Sequence, residues 1–342
     1  MKKINVAING LGRIGRAFLR AVSMHPEINV VAVNDLGDKE NLEYLLKYDS
    51  VYGRSNVTLA GIKHLSEKDP AKLPWKDLGV DVVIESTGFF ATPEGAGLHL
   101  SAGAKRVIVT APIKGGHDTN NTNTRANDTN GGKTETVLMG LNEGKLKDCV
   151  ISSNASCTTN AASPIIAILD EVIGIEKAVL NTVHAYTATQ SLVDSPAGKK
   201  GFREGRAAAQ NIIPSSTGAA IAVTKAYPKL VGKFDGISLR VPVICGSIAD
   251  ITFIAKRDTT VEEVNSALTK ASKEKRWQGI FAVAEAELVS SDILGRPEGA
   301  IAELSMTKVV GGNLVKVLAW YDNESGYANT LVKHVLAIGM NL

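Results

Sequence analysis

A single cysteine stands among small polar residues in the run from Ser153 to Asn160, just before apolar residues with helical spacing. This pattern predicts a helix that begins near Cys157, with Pro164 tolerated in about its first turn. Backbone N–H groups in the first turn of a helix lack partners within the helix and stabilise an anion. We therefore expect the pKa of Cys157 to be lowered, so that its thiolate is a nucleophile at neutral pH.

His184 follows 27 residues after the cysteine, at the end of the strand-like run that starts at Val179. A strand of this length can return the histidine to the helix start in a packed domain. Cysteine and histidine together are the minimum for thiol catalysis. The same two residues are equally compatible with a half-buried structural cysteine near an unrelated core histidine.

A glycine motif near the N-terminus indicates a nucleotide site. A short apolar strand from Ile4 to Ile8 ends in Asn9-Gly10-Leu11-Gly12-Arg13-Ile14-Gly15, and helical spacing follows. Such a Gly-x-Gly-x-x-Gly turn lets the backbone approach a pyrophosphate at a helix N-terminus. Asp35 ends a second strand 20 residues after Gly15, where a carboxylate binds ribose hydroxyls and repels a 2′-phosphate. The motif therefore predicts NAD rather than NADP.

Further strand-like runs extend this unit. Residues 80–85 lead into Ser86-Thr87-Gly88, and residues 106–109 lead into Thr110-Ala111-Pro112. Both runs predict a continuing parallel sheet, and small residues at the carboxyl ends of its strands leave room for a ligand. Between 114 and 136 the sequence is dominated by Asn, Thr, Gly and Asp, which predicts a mobile surface loop.

The second half of the chain places hydroxyls beside cations. Thr187 and Thr189 precede a segment rich in glycine and lysine at 195–201, and Arg203 and Arg206 follow it. This combination indicates phosphate binding. Residues 214–220 again place hydroxyls and a glycine at a predicted helix start, although ordinary N-capping explains that pattern better.

Arg240 ends a strand-like run, where it either completes a phosphate clamp or is a solvated surface residue. The runs 248–254 and 314–320 alternate as strands without intervening helices, which predicts a mostly antiparallel sheet. Residues 327–338 have helical spacing and are expected to dock back on the first domain.

The length of 342 residues predicts two domains: 1–156 with 323–342 for the dinucleotide, and 157–322 for catalysis. A formal charge of +3 is too small to indicate a nucleic-acid partner. No secretory segment or membrane-length apolar run is present, so we expect no membrane partner. The three cysteines have no metal-ligand spacing, and their odd number favours a reducing compartment, with the cytoplasm as the expected location.

Taken in order, these residues resemble the phosphorylating glyceraldehyde-3-phosphate dehydrogenases over nearly the whole chain. The resemblance rests on the segments 7–15, 85–88, 153–160, 184–190, 211–220 and 320–324. It implies an α/β fold with a Rossmann-type NAD-binding domain and an α+β catalytic domain whose sheet is mostly antiparallel. It also implies a homotetramer that takes glyceraldehyde 3-phosphate and inorganic phosphate, with NAD as its cofactor and no metal.

The resemblance also implies roles for individual residues. Cys157 is the nucleophile that forms a thioester, and His184 is the base. Phosphate binding falls to Ser156, Thr158, Thr217 and Gly218 for the attacking phosphate, and to Thr187, Thr189 and Arg240 for the phosphate of the substrate. NAD binding falls to Asn9, Gly10, Gly12, Arg13, Ile14, Gly15, Asp35, Lys68, Thr87, Gly88, Thr110, Asn323 and Tyr327.

The chain departs from the family pattern at several positions. Ala161 replaces the usual second cysteine, Glu204 stands where many members have an arginine, and Ser325 replaces a common tryptophan. Two alternatives stay open from the sequence. One is erythrose-4-phosphate dehydrogenase, against which Thr187-Ala188-Thr189 argues, and the other is a catalytically silent NAD-responsive binding protein.

Overall fold

A computed structural model describes residues 3–113, 133–197 and 201–342. The chain forms two compact units, Met1–Ser156 with Ala328–Leu342, and Cys157–Tyr327. Residues 323–327, expected with the first domain, therefore lie in the second unit. The predicted surface loop lies outside the described residues from 114 to 132, as do residues 198–200 of the predicted phosphate segment.

The first unit is built on a parallel sheet of seven strands in the order β5-β2-β1-β6-β7-β9-β8. The strands are β1 (Ile4–Asn9), β2 (Ile28–Asn34), β5 (Lys63–Leu65), β6 (Val82–Glu85), β7 (Arg106–Val109), β8 (Thr134–Thr136) and β9 (Ile151–Ser153). A separate pair is formed by β3 (Tyr48–Asp49) and β4 (Gly53–Arg54). The helices are α1 (Arg13–Val22), α2 (Lys39–Lys47) and α3 (Pro93–Ser101).

The central strands of this sheet are buried on both faces, as their nearly continuous apolar sequence requires. Since all strands run in parallel, their carboxyl ends bring Asn9, Asn34 and Glu85 to one edge of the sheet. The loop prediction was wrong for Thr134–Thr136, which form β8 at the far side of the sheet beside β9.

The second unit contains a seven-stranded mixed sheet in the order β11-β12-β10-β13-β16-β15-β14. Four of its six strand pairs are antiparallel, and the pairs β10 with β12 and β14 with β15 are parallel. The strands are β10 (Ile175–Ala185), β11 (Ile213–Ser216), β12 (Phe234–Val241), β13 (Ser247–Ala255), β14 (Phe281–Val283), β15 (Ala300–Val310) and β16 (Leu314–Tyr321). The helices are α4 (Cys157–Val172), α5 (Ala219–Ala226) and α6 (Val261–Ala271), followed by α7 (Ser325–Gly339), which ends in the first unit.

One face of this sheet packs against α4, α5 and α6 and forms a core. The strict alternation of β13 shows this, because every second residue from Ser247 to Ala255 is buried. One local prediction was wrong, since Pro164 is the eighth residue of α4 rather than part of its first turn. The helix start predicted within residues 214–220 lies at Ala219, and residues 214–216 before it belong to strand β11. Within the described ranges, no helix combines the length and apolarity needed to cross a membrane.

Candidate active site

Cys157 is the first residue of α4, and the backbone turns sharply just before it. Ala155 is fully buried and has a φ of 54°. This left-handed conformation is energetically unfavourable for a residue other than glycine. Its N–H donates to Oγ of Ser153 (2.9 Å), and that hydroxyl donates to the carbonyl oxygen of Ala111 (2.7 Å). These bonds hold the turn that precedes the cysteine.

The structure brings the cysteine and the histidine together. Sγ of Cys157 lies 3.4 Å from Nε2 of His184, which is the last residue but one of β10. His184 is buried, whereas Cys157 stays partly exposed. A thiol in contact with an imidazole that can take its proton is the arrangement that nucleophilic catalysis requires.

Two groups compete for the other ring nitrogen of His184. The carbonyl oxygen of Ala185 lies 2.6 Å from Nδ1 and can only accept, whereas Nη1 of Arg240 lies 2.5 Å from the same atom and can only donate. When Nδ1 carries the hydrogen, it donates to Ala185 and leaves Nε2 unprotonated towards the thiol. A ligand that draws Arg240 away therefore favours the tautomer that can accept a proton from Cys157.

The protonation of this pair differs from the sequence prediction. Burial raises the pKa of the Cys157 thiol, against the opposing effects of Arg240 and the N–H of Thr158. Burial, and then the charge of Arg240, lowers the pKa of His184 to about 3. The expectation of a lowered thiol pKa was wrong, because a helix start in a packed interior loses more solvation than its N–H groups return. The ligand-free pair is a thiol and a neutral imidazole.

Tyr321 is a member of this site that the sequence analysis missed. Its Oη lies 2.8 Å from Oγ1 of Thr158 and 2.7 Å from Oγ1 of Thr182, and its ring meets the His184 ring edge-on. Thr158, predicted to bind phosphate, is thus tied to the sheet directly after the nucleophile. The alternation of β16 is a signal for Tyr321, since it shares a face with the buried Val317 and Ala319.

The two predicted threonines of the substrate phosphate site lie together. Oγ1 of Thr187 and Oγ1 of Thr189 are 2.9 Å apart, in the loop that follows His184. The residues predicted for the attacking phosphate lie at helix starts: Ser156 directly precedes α4, and Gly218 is the N-cap of α5. Oγ1 of Thr217 accepts from the N–H of Ala219 at 3.2 Å. That bond is a local turn before the helix and not an N-cap, because Gly218 is the N-cap and no side chain caps α5. The phosphate-binding roles stay a prediction.

The first unit has a cleft of about 860 Å³ at the carboxyl ends of β1, β2 and β6. Six of the predicted dinucleotide residues line it: Asn9, Gly10, Gly12, Asp35, Lys68 and Thr87. Five others of the first unit are not among its lining residues: Arg13, Ile14, Gly15, Gly88 and Thr110. Arg13 is bound instead to Asp49, with Nη1 and Oδ2 2.7 Å apart.

The glycines of this cleft fit a dinucleotide. Gly10 has a φ of +95°, and a Cβ there would lie 2.8 Å from the backbone nitrogen of Thr87, so only glycine is tolerated. A Cβ on Gly12 would meet nothing within 4 Å and would fill open space in the cleft. The backbone at Gly12 is therefore accessible to a pyrophosphate, as the motif predicts.

The side chain of Asp35 lines the cleft and also accepts hydrogen bonds from the backbone of two loops. Its carboxylate accepts from the N–H of Leu11 at 2.7 Å and from the N–H of Gly37 at 2.8 Å. Each oxygen of an ionised carboxylate accepts more than one hydrogen bond. The carboxylate can therefore take ribose hydroxyls while it holds the glycine loop.

A buried carboxylate that the sequence analysis did not single out supports the cleft wall. Glu85 is 1% exposed and accepts from Nδ2 of Asn9 (2.6 Å) and Oγ1 of Thr87 (2.5 Å). His99 lies 2.9 Å from it through Nε2, and Nδ1 of His99 accepts from the indole of Trp75 at 3.0 Å. Because an indole N–H only donates, Nδ1 of His99 is the acceptor and Nε2 donates to Glu85. Despite burial, hydrogen bonds led by His99 lower the pKa of Glu85.

Asn323 and Tyr327, predicted to bind NAD, are both buried in the second unit. Oδ1 of Asn323 accepts from the N–H of Gly246 at 3.1 Å and from Oγ of Ser247 at 3.0 Å. These donors fix the orientation of the amide, so that its Nδ2 is presented as a donor. A donor is what a nicotinamide carbonyl oxygen requires.

A glycine-loop cleft on a parallel sheet and a thiol–imidazole pair in the following unit define a dinucleotide-dependent oxidoreductase. Comparison with known proteins narrows this class. Residues 4–93 match the family model for the NAD binding domain of glyceraldehyde 3-phosphate dehydrogenase, and residues 156–323 match the model for its C-terminal domain.

Curated relatives agree with these matches. The chain is 44% identical to a glyceraldehyde-3-phosphate dehydrogenase of Streptomyces coelicolor, with 99% of each chain covered. It is 45% identical to one of Mycobacterium avium over the same shares, and 48% identical to one of Thermotoga maritima with 96% of each covered. The chain therefore belongs to the glyceraldehyde-3-phosphate dehydrogenase family. It is an enzyme of the NAD-dependent class, with the α/β fold that the sequence predicted.

Proposed function

We propose that this chain oxidises D-glyceraldehyde 3-phosphate to 1,3-bisphosphoglycerate with inorganic phosphate and NAD, as a step of glycolysis or gluconeogenesis. The observation that carries the proposal is the 3.4 Å contact between Sγ of Cys157 and Nε2 of His184. A family member without this pair could bind NAD but could not form a thioester.

In this mechanism the thiol proton of Cys157 passes to Nε2 of His184 as the sulfur attacks the aldehyde carbon. The imidazolium returns the proton to the carbonyl oxygen, which gives a hemithioacetal. His184 is competent for the second proton transfer because burial keeps its imidazole neutral, and it takes the hydroxyl proton as the thioester forms. The cleft of the first unit would hold NAD, which would supply the acceptor for the hydride from the substrate carbon. Inorganic phosphate then attacks the thioester carbon, the carbon–sulfur bond breaks, and the Cys157 sulfur takes back the proton that the His184 imidazolium holds.

We assign the phosphate of the substrate to Thr187, Thr189 and Arg240. Arg240 lies beside His184 because the two residues are paired in register on β12 and β10. A phosphate bound there would recruit the guanidinium away from Nδ1 of His184, which would link substrate binding to the base. The attacking phosphate is assigned to Ser156, Thr158, Thr217 and Gly218, on the resemblance to the family.

We assign NAD to the cleft of the first unit, with the pyrophosphate on the backbone of Gly10 to Gly12 and the adenosine ribose on Asp35. Lys68 and Thr87 line the same cleft, which supports their assignment. Asn323 is assigned to the nicotinamide amide, because its Oδ1 is occupied and its Nδ2 is presented as a donor. The remaining family positions, Arg13, Ile14, Gly15, Gly88, Thr110 and Tyr327, are assigned on resemblance alone.

The test of this function is turnover of competing aldehydes with NAD. We expect kcat/KM for glyceraldehyde 3-phosphate to exceed that for erythrose 4-phosphate at least tenfold. A preference for the four-carbon aldehyde would replace the substrate, and NAD binding without turnover of either aldehyde would support the silent binding protein.

We propose that the enzyme acts as a homotetramer in the cytoplasm. The sheet face of the second unit that is opposite its helices exposes apolar residues, with Val179 60% and Ile237 54% accessible. An exposed apolar face of this kind is typical of an assembly surface. The three cysteines carry no disulfide, which agrees with a reducing compartment. Ile237→Asp should lower the mass measured by light scattering, and an unchanged mass would remove this face from the interface.

A further inference from the structure

We propose that Glu204 is a positioning residue that orients the Thr187–Thr189 hydroxyl pair towards the phosphate of the substrate. The inference rests on the proposed function, because it takes these two threonines as a phosphate site. Its structural basis is a hydrogen-bonded chain from Glu204 through Gln190 to both hydroxyls.

Gln190 is the centre of this chain. It is 7% exposed, and its Oε1 accepts from the N–H of Thr187 at 2.8 Å. A backbone N–H can only donate, so the amide cannot be flipped, and Nε2 must point the other way. On that side Nε2 donates to Oγ1 of Thr189 at 3.0 Å and to the carboxylate of Glu204.

These bonds determine where the hydroxyl protons point. Oγ1 of Thr189 accepts from Gln190, so its own hydrogen points elsewhere, to Thr187 or to an incoming anion. Oγ1 of Thr187 donates to Oε1 of Gln190 at 3.3 Å and lies 2.9 Å from Oγ1 of Thr189. A phosphate oxygen at this pair would take over these two hydroxyl hydrogens, because charge-assisted bonds to a phosphate are stronger than the neutral bonds that they replace.

Glu204 holds the amide in place from outside this pair. Its second carboxylate oxygen accepts from Oγ of Ser215 at 2.6 Å, which fixes the carboxylate to β11. The backbone around it is bound to the threonine loop, because the N–H of Ser191 donates to the carbonyl oxygen of Glu204 at 3.1 Å. A Cβ on the neighbouring Gly205 would lie 2.1 Å from the carbonyl oxygen of Ser195, so this close approach requires glycine.

Removal of the Glu204 carboxylate can either strengthen or weaken binding of the phosphorylated aldehyde, and the direction of the change tests the proposal. A carboxylate near a phosphate site repels the ligand through its charge. If the charge dominated, removing it would improve binding of the phosphorylated aldehyde. If orientation of Gln190 dominates, as we infer, removing the carboxylate weakens binding, and only for a substrate that carries a phosphate.

The experiment compares KM and kcat for glyceraldehyde 3-phosphate and for unphosphorylated D-glyceraldehyde in the whole enzyme. Glu204→Ala should raise KM for the phosphorylated aldehyde about tenfold and change kcat less than about twofold, since it loosens two hydroxyl contacts. Its kcat/KM for glyceraldehyde should stay within about twofold of the unsubstituted enzyme. Glu204→Gln keeps the side-chain shape and one acceptor, so we expect an intermediate rise of about threefold.

Two further variants complete the design. Asp194→Asn is the matched control, because Asp194 is an exposed carboxylate of the same loop that binds Arg206 and the N–H of Ala207. It should leave both KM values unchanged. Thr187→Val tests the phosphate site itself and should raise KM for the phosphorylated aldehyde alone.

The outcomes distinguish the role of Glu204 from the assignment of the phosphate site. If Thr187→Val raises this KM and both Glu204 variants leave it unchanged or lower it, the role of Glu204 is wrong and the phosphate site stands. Equal losses with both aldehydes in Glu204→Ala and Glu204→Gln would also overturn it, because they would show general damage to the site. If Thr187→Val has no effect, the assignment of the phosphate site fails first.

Discussion

Nη1 of Arg240 lies 2.5 Å from Nδ1 of His184, so a permanent cation faces the imidazole of the proposed base. Burial and this cation hold the pKa of His184 near 3. We expect Arg240→Leu to raise that pKa by at least one unit, because a neighbouring cation disfavours the imidazolium. NMR titration of selectively ¹³C-labelled histidine measures it. An unchanged pKa would show that burial alone sets the protonation state, and would remove the proposed link from substrate phosphate to base.

We expect the hydroxyl of Tyr321 to stabilise the folded protein through its hydrogen bonds to Thr158 and Thr182. The Tyr321→Phe substitution removes bonds to Thr158 and Thr182 but keeps the ring beside His184. It should lower the free energy of unfolding by about 1 to 3 kcal/mol, because two buried hydroxyls lose a shared partner.

Urea denaturation measures this change for Tyr321→Phe, and Tyr44→Phe, in a 59% exposed tyrosine, is the control. A loss below about 0.5 kcal/mol would mean that the threonines find other partners.

Cofactor selectivity is expected to depend on the charge of Asp35. Asp35→Asn keeps an acceptor for the N–H of Leu11, whereas Asp35→Gly also removes the contact that holds the glycine loop. Both variants should improve use of NADP, and Asp35→Asn should lose less activity with NAD. The measurement is kcat/KM for each cofactor, with an expected relative gain for NADP of about tenfold or more. NADP kinetics that do not change in either variant would sink the assignment of this carboxylate to the ribose.

Acid sensitivity is expected from His334, which is completely buried in α7. Burial lowers its pKa to about 3, and its Nδ1 lies 3.1 Å from Oδ1 of Asn154. An unfolded histidine titrates near 6.5, so between about pH 6.5 and 3 the unfolded chain binds a proton that the folded chain does not. The stability associated with this neutral histidine is present above pH 6.5 and is lost as the pH falls towards 3.

The His334→Leu variant should therefore lose less stability than the unsubstituted protein between pH 7 and pH 5, by on the order of 2 kcal/mol. Urea denaturation at both pH values measures this, with the partly exposed His25→Leu as control. If the unsubstituted protein, His334→Leu and His25→Leu all lost the same stability between pH 7 and pH 5, His334 would not be the source of the acid sensitivity.

The features that could be predicted from the sequence are those that depend on short stretches of consecutive residues. The glycine turn at Gly10 and the acid at Asp35 were found because strand, turn and helix follow one another along the chain. Membership of the family and the α/β fold with its NAD-binding domain are confirmed.

What the sequence missed depends on contacts between distant segments. Tyr321 meets Thr158 across 163 residues, and only the packing of α4 against β16 brings them together. The direction of the pKa shift of Cys157 was wrong for the same reason, since the burial of a helix start is decided by the packing around it. Glu204 stood out in the sequence only as a departure from the family, and its bond to Gln190 became visible in the folded loop.

The central claim is that Cys157 forms a thioester that inorganic phosphate resolves. The most direct measurement is NADH formation from glyceraldehyde 3-phosphate with and without inorganic phosphate, on the unsubstituted enzyme and on Cys157→Ser. We expect steady turnover that requires phosphate, and we expect Cys157→Ser to lower that turnover by at least about 1,000-fold, since a serine hydroxyl is a far weaker nucleophile than a thiol. Turnover that does not depend on phosphate, or that survives in Cys157→Ser, would contradict the account.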